Sequence, residues 1–522
     1  MIREISRRKC LRLWLCKPEY MGRTKWENRF VLLRFWKKNY MMFLKDLKRF
    51  KMERLYDKLK AYSESDFYAF HMPGHKRNKA LLGIELPYDL DITEIDGFDD
   101  LHHADGILKE EQERAARVFG AEESHFLVNG STAGILSAVM GCTHRGDKIL
   151  VARHCHKSIY HAIYMNGLVP RYVYPEFDIS MHMNGEISKE DVAKALAAEP
   201  DIKAVVIVSP NYDGVVSDVK GIAEVAHSYR IPLIVDEAHG PHFGFHPAFP
   251  GRANDLGADV VINSLHKTLP SLTQTAILHI NGKLANRRRI KKYLDMLQSS
   301  SPSYIFMASL DACVDFLDGK CEEAFELYVE RLQKFREELK PLQHLQILRT
   351  EHYDISKVVI STANANITSP ELADRLRKEY HLEMEMTGGT YVLAMTTVAD
   401  TQEGLDRLKA ALLEIDGQLE AKTAVSGSIE ISGELPRLEQ YFTPQEAAER
   451  EEDGEAEEIP WKESEGHISL EYAYLYPPGS PVIVPGERIS REAVELLCYY
   501  ETQNLQIEGI QTEGKIKVWK HE

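Results

Sequence analysis

Lys267 stands in Ser264-Leu-His-Lys267, a polar stretch between two short apolar runs rich in branched residues, Val260 to Ile262 and Ala276 to Ile280. Such runs read as buried strands, so the lysine lies in a loop at the mouth of a sheet. Lysine is a poor structural choice there and a suitable nucleophile, because partial burial near another cation lowers its pKa and frees the amine. Upstream, Ile231-Pro-Leu-Ile-Val-Asp-Glu-Ala-His-Gly240 repeats the pattern, an apolar strand whose carboxyl end delivers Asp236. Ligands of parallel α/β sheets gather at those ends, so Asp236 and Lys267 are expected to face one crevice. An acid and an amine placed so suit pyridoxal 5'-phosphate, the lysine as its Schiff-base partner and the acid on the pyridine nitrogen. Phe126-Leu-Val-Asn-Gly-Ser-Thr-Ala-Gly134 is a strand running into a glycine and hydroxyl turn and an apolar helix. Free N–H groups at that helix start, with Gly130, Ser131 and Thr132, make an anion site for the cofactor phosphate.

Each piece alone has a blander account: a solvated turn at Lys267, a helix cap at Asp236, an ordinary N-cap at Ser131 and Thr132. Their order on one run of alternating strands and helices is what those accounts do not jointly explain. The resemblance then becomes specific. His71-Met-Pro-Gly-His-Lys76, Asp91-Ile-Thr-Glu-Ile-Asp-Gly97, Val128-Asn-Gly-Ser-Thr-Ala-Gly134, His154-Cys-His-Lys-Ser158, Val235-Asp-Glu-Ala-His-Gly240, Ser264-Leu-His-Lys267 and Tyr476-Pro-Pro-Gly-Ser-Pro481 with Pro485-Gly-Glu487 follow one another in order. From Met52 onward the chain resembles the ornithine/lysine/arginine decarboxylase family in its shorter form.

The resemblance implies decarboxylation of a basic amino acid, arginine favoured and lysine or ornithine open, in polyamine metabolism. It implies an aminotransferase-like fold (PLP fold type I) and a homodimer or higher homo-oligomer; the cytoplasm is the expected compartment. By the same resemblance His156 stacks on the cofactor ring, Ala238 packs beneath it, and Ser131, Thr132, Ser264 and His266 hold the phosphate. The segment around His71 to Lys76 is implied to cross toward the partner subunit. Ser303 and Tyr304 either reach the partner's phosphate or cap the helix that follows. An aminotransferase or another lyase on the same fold would share Asp236 and Lys267. A non-catalytic regulatory or binding relative would be expected to lack the lysine.

The elements that must position these groups are legible in outline. Strand candidates at 125–129, 148–152, 171–174, 203–208, 231–236, 259–263 and 275–280 alternate with helical patterns. That alternation predicts a mostly parallel seven-stranded sheet covered on both faces, its last return antiparallel because Lys267 to Ile280 is too short for a helical crossover. Four segments are expected: a basic extension over 1–51 from a start assigned too early, an N-terminal segment with the large cofactor-binding domain over 52–300, a small α/β domain over 301–425, and a mixed C-terminal domain over 426–522. Gly417 is expected to end a small-domain helix in the left-handed conformation. The charged run Glu449 to Glu458 reads as a solvated loop.

With 522 residues, 44% hydrophobic and 28% charged, the chain has the composition of a large globular protein. The net charge of −16 argues against nucleic acid as a partner. No apolar run has the length of a membrane span. Seven cysteines without regular spacing suggest a reducing compartment. His154, His156 and His161, and likewise His239, His242 and His246, invite a metal reading, but nothing else converges on them, so no metal is expected. A distal acid should meet the cationic end of the substrate. Glu383 and Glu385 are candidates, and their alternation equally fits the solvent face of a strand.

Overall fold

The computed structural model describes residues 54–520 apart from 81–82, 179–182, 349–351, 422–434, 476–479 and 503–506. The basic extension 1–51 and the turn residues Pro477 to Gly479 lie outside the described residues. Strands β1 (Glu123–Leu127), β2 (Lys148–Ala152), β3 (Val169–Val173), β4 (Val205–Val208), β5 (Leu233–Asp236), β6 (Val260–Asn263) and β7 (Ala276–Ile280) form one sheet in the order β1-β7-β6-β5-β4-β2-β3. From β3 across to β6 every pairing is parallel, and β7 runs antiparallel to both β6 and β1. This is the expected mostly parallel sheet with one short return. β4, β5 and β6 are buried at every position, which is why they read as continuous Val and Ile runs rather than alternating ones. One face is closed by a core that includes Val139, Ile159, Leu196 and Ile222, the other by an aromatic-rich core around Phe119, Phe243 and Phe325.

A second sheet is antiparallel throughout, with β8 (Gln346–Ile347), β9 (Lys357–Ser361), β10 (Met386–Thr387) and β11 (Tyr391–Met395) in the order β8-β9-β11-β10. Its hydrophobic face packs on helices Glu322–Glu338, Ser369–Tyr380 and Gln402–Asp416. The last of these ends at Gly417, as expected, but with φ −66° and ψ −9°. The right-handed turn continues there, and the left-handed freedom of glycine is not used.

Beyond residue 434 small two- and three-stranded sheets surround a core of Trp461, Ile483 and Val518. The charged run Glu449 to Glu458 is not a loop. It completes the helix Pro444–Glu452, opened by a Thr443/Glu446 capping box, and then forms a strand over Ala456–Pro460 paired with Lys515–Trp519. Backbone pairing with only one covered face tolerates charge on the other, so composition alone misleads here. Among the described residues no helix is long and apolar enough to cross a membrane.

Candidate active site

A cavity of about 570 Å³ opens at the carboxyl ends of the large sheet, where Asp236 closes β5 and Lys267 follows β6. Of the residues singled out from sequence, Gly130, Ser131, Thr132, His156, Asp236, Ala238, His266 and Lys267 line it. Ser264 does not. It is fully buried between β6 and the short helix Leu265–Thr268, and its hydroxyl has no hydrogen-bond partner.

Asp236 is 3% exposed and accepts one backbone bond, from the Ala238 N–H at 3.1 Å. Burial raises its pKa, and the Lys267 ammonium pulls the other way. For Lys267 burial lowers the pKa, opposed by Asp236 and Glu385. The amine is thus pushed toward the neutral form that a carbonyl-capturing lysine requires. The Gly130–Cys142 helix begins beside both, with Gly130 at φ 73° and open space where a Cβ would stand. Asn129, at the N-cap position, makes no side-chain capping bond, so the first turn has N–H groups to offer an anion.

The histidines divide by tautomer. His156 caps the Lys157–Met165 helix, its Nδ1 accepting from the Ser158 N–H at 3.2 Å, which leaves the ring proton on Nε2. Burial, with Lys267 nearby, pushes its pKa down to about 4, so the ring is neutral near pH 7. His266 holds its proton on Nδ1, donating to the Thr275 carbonyl at 2.8 Å, and burial lowers its pKa too. His239 bridges two lysines, Lys267 at 2.8 Å and Lys357 at 2.8 Å. His242 lies between Thr268 and Asp354, and His246 meets Glu326. Among the described residues no group of three or more His, Cys, Asp or Glu side chains has metal-holding geometry.

Glu385 lines the cavity, and the Tyr212 hydroxyl donates to its carboxylate. Glu383 is exposed and does not line it. Ser303 caps the helix Tyr304–Leu317, and the Tyr304 hydroxyl donates to the Asp99 carbonyl at 2.6 Å, so both polar groups are engaged within the chain. Sequence reasoning missed Tyr212 and Lys357. The first sits in Ser209-Pro-Asn-Tyr-Asp-Gly214, a breaker-rich turn after a strand that follows the same grammar as the Asp236 and Lys267 loops. The second opens β9, and its only signal is a cation heading an apolar run.

A sheet of this order with a lysine and an acid at adjacent strand ends over one cavity defines the class: an aminotransferase-like α/β protein, PLP fold type I. Within that class, residues 53–413 match the family model for the Orn/Lys/Arg decarboxylase major domain, and residues 433–514 match the model for the C-terminal domain of the same family. The chain belongs to the Orn/Lys/Arg decarboxylase family. It is 34% identical over 471 residues to an arginine decarboxylase of Bacillus subtilis, covering 87% of this chain and 95% of that one. An arginine decarboxylase of Bacillus anthracis is 32% identical over 487 residues, covering 89% and 97%. The fold is that of the constitutive lysine decarboxylase of Escherichia coli, with a TM-score of 0.76 at 20% identity over 95% of this chain and 84% of that one.

Proposed function

We propose that this chain removes the α-carboxylate of a basic amino acid with pyridoxal phosphate as cofactor, arginine first and lysine or ornithine as competitors, releasing carbon dioxide and an amine. One observation carries the reading: a single cavity whose lining includes Lys267, Asp236 and the acid Glu385. The residues present fit the cofactor on their own terms. A buried carboxyl group with one backbone partner suits a cationic ring nitrogen, and a helix start with no side-chain cap, where Ser131 and Thr132 follow Gly130, suits a phosphate.

In this reading Lys267 would hold the aldehyde carbon and Asp236 the ring nitrogen. Gly130, Ser131, Thr132 and His266 would hold the phosphate, with His156 and Ala238 against the ring; Ser264, fully buried and outside the cavity lining, would not reach it. When bound, the cofactor supplies a cationic ring that takes up the electron pair left as carbon dioxide departs. The chain supplies the rest. In its buried setting the Asp236 charge acts far more strongly than it would in water. Glu385 pairs with the guanidinium or ammonium end of the substrate, which fixes the α-carbon relative to Lys267 and so selects the bond that breaks. Arginine stands first because the relatives of highest identity above bear that name.

The same reading includes a homodimer in the cytoplasm that feeds polyamine metabolism. A second copy is supported by a run of exposed apolar side chains after the first helix, Phe67, Tyr68, Phe70 and Met72, with Phe70 90% exposed. A reducing compartment is supported by the free state of all five cysteines among the described residues.

The test is borohydride reduction of the cofactor-loaded protein followed by peptide mapping, with amines measured from arginine, lysine and ornithine. The expected result is a reduced adduct on Lys267 and fastest amine release from arginine. An unmodified Lys267, or amino transfer dependent on a keto acid in place of amine release, overturns the proposal.

A further inference from the structure

Tyr212 and Asp213, consecutive residues of the loop after β4, engage the small sheet through a crossed pair of hydrogen bonds. The Tyr212 hydroxyl donates to Glu385, just before β10, and the Tyr391 hydroxyl, at the start of β11, donates back to Asp213 Oδ1 at 2.5 Å. Each sheet thus offers the other one tyrosine and one acid. Asp213 is 5% exposed, and both acids line the cavity that contains Lys267. A tyrosine holds one oxygen of each acid. Among the described residues the other oxygen accepts no hydrogen bond, and neither acid forms an ion pair.

Charge at this end of the cavity does not balance. Burial raises the Asp213 pKa to about 6, opposed by the Tyr391 bond and by Lys357, so the group is ionised near neutral pH. Lys357 lies close enough to feel three carboxylates, Asp354, Glu385 and Asp213. A charged His242, 3.1 Å from Asp354, would cancel that one, and Lys357 can cancel one more at most. With Lys267 committed to the cofactor, at least one negative charge is left over, and an incoming cation supplies its counterpart.

Place and shape say which cation. Lys267 Nζ lies 6.0 Å from the centroid of the Tyr212 ring, whose hydroxyl touches Glu385. A substrate held by its α-amine near Lys267 and extended along that ring would bring its far end to the two acids. An ammonium has all its donors on one nitrogen. A guanidinium spreads them over a planar fork, which can meet carboxylates arriving from two different sheets at once.

We propose that Asp213 is a specificity-determining residue: its second oxygen takes one side of a guanidinium whose other side Glu385 holds, so that the site selects arginine over lysine and ornithine. The inference deepens the proposed function and rests on its reading of Lys267 and Glu385. Tyr391 and Tyr212 fix the two acids before substrate arrives, and the clasp is complete only while the two sheets are packed together.

The test compares kcat/KM for arginine and for lysine in the full-length, cofactor-loaded wild type, D213N and Y391F. D213N keeps an acceptor for Tyr391 and removes the charge, whereas Y391F keeps the charge and removes the bond. In D213N arginine is expected to lose about 10- to 100-fold and lysine about threefold or less, while Y391F lowers both by a similar, smaller factor. A D213N loss equal for the two amino acids, or an arginine-selective loss that Y391F reproduces in full, overturns the proposal. Calorimetry with agmatine and cadaverine, the amines that arginine and lysine would leave, adds a readout free of turnover. Wild type is expected to bind agmatine the more tightly, and no such preference overturns the proposal even if D213N does not fold. A protein that prefers agmatine but traps no cofactor on Lys267 refutes only the proposed function. One that releases amine while D213N loses both substrates alike refutes only this inference.

Discussion

The Tyr212 hydroxyl donates to the Glu385 carboxylate, bonding the loop after β4 in the large sheet to the approach to β10 in the small one at the rim of the cavity. The carboxylate is oriented before any substrate arrives, and the same tyrosine ring lies over His239. E385Q keeps the shape and removes the charge. A charge-assisted bond to a cationic group is worth about 1.5–3 kcal/mol, so KM for arginine is expected to rise about 10- to 100-fold with a smaller change in kcat. Y212F loosens the carboxylate without removing it and is expected to cost tenfold or less. A KM for E385Q within about twofold of wild type would remove Glu385 from the substrate site.

The chemistry at strand ends was readable because it is local. Asp236 and Lys267 each terminate an apolar run, and the Gly130 to Thr132 turn interrupts a strand and helix pair, so short windows contain the signal. Lys357, Tyr212 and Glu385 reach the cavity only because the second sheet packs over the first. Lys357 is 118 positions from its histidine, and nothing in the period of β9 marks it. His239 was visible as a histidine after a strand, but its partners are two lysines rather than a metal, and a lone histidine does not announce its partner. Ser264 was placed correctly in the chain and lies just behind the cavity wall, because side-chain direction at a strand end is a matter of register.

Gly141 lies in the helix that begins at Gly130, and its missing side chain admits a neighbouring helix. A Cβ there would stand 2.9 Å from the backbone N and Cα of Ile290 and 2.5 Å from Ile290 Cγ1. Alanine favours a helix by about 1 kcal/mol over glycine. Overpacking a close contact costs about 1–3 kcal/mol, and here the obstacle is backbone that cannot rotate away. G141A is therefore expected to lower stability by about 1–2 kcal/mol despite better propensity, read as a lower urea midpoint with unchanged slope. A higher midpoint would mean that the two helices separate freely.

Arg153 ties the end of β2 to the C-terminal region. It is 1% exposed and forks onto Glu487 at 2.8 and 2.9 Å, with a third bond to the Val482 carbonyl at 2.8 Å. R153M leaves the Glu487 carboxyl buried without its cation, which is expected to cost about 3–5 kcal/mol. R153M/E487M removes both members, so most of that loss should return. Urea unfolding of the two single variants and the double variant measures the coupling. A double variant as unstable as the sum of the singles would show that the pair is not coupled.

Acid should loosen this fold well above the carboxylate range, because buried histidines resist protonation, His154 and His279 among them. Burial pushes His154 down to about 4, and burial, with His125 and Arg252 adding to it, pushes His279 down to about 3. His279 lies in β7 with no exposed surface, its Nδ1 2.6 Å from the Ser124 hydroxyl. In the unfolded chain each ring titrates near 6.5. As pH falls below about 6.5 the unfolded chain takes up protons that the folded one refuses, so stability declines until the folded values are reached. Above 6.5 neither ring contributes. Burial raises the pKa of Glu237 to about 8, the opposite sense: its contribution is full below the unfolded value and lost as pH rises toward 8. A difference between variants therefore isolates His279 better than the whole profile does. H279L lowers stability at every pH by orphaning Ser124, but it removes one proton from the linkage. Between pH 6.5 and 5 it is expected to lose about 2 kcal/mol less than wild type. Equal slopes in the two proteins over that interval would mean that His279 accepts a proton where it stands.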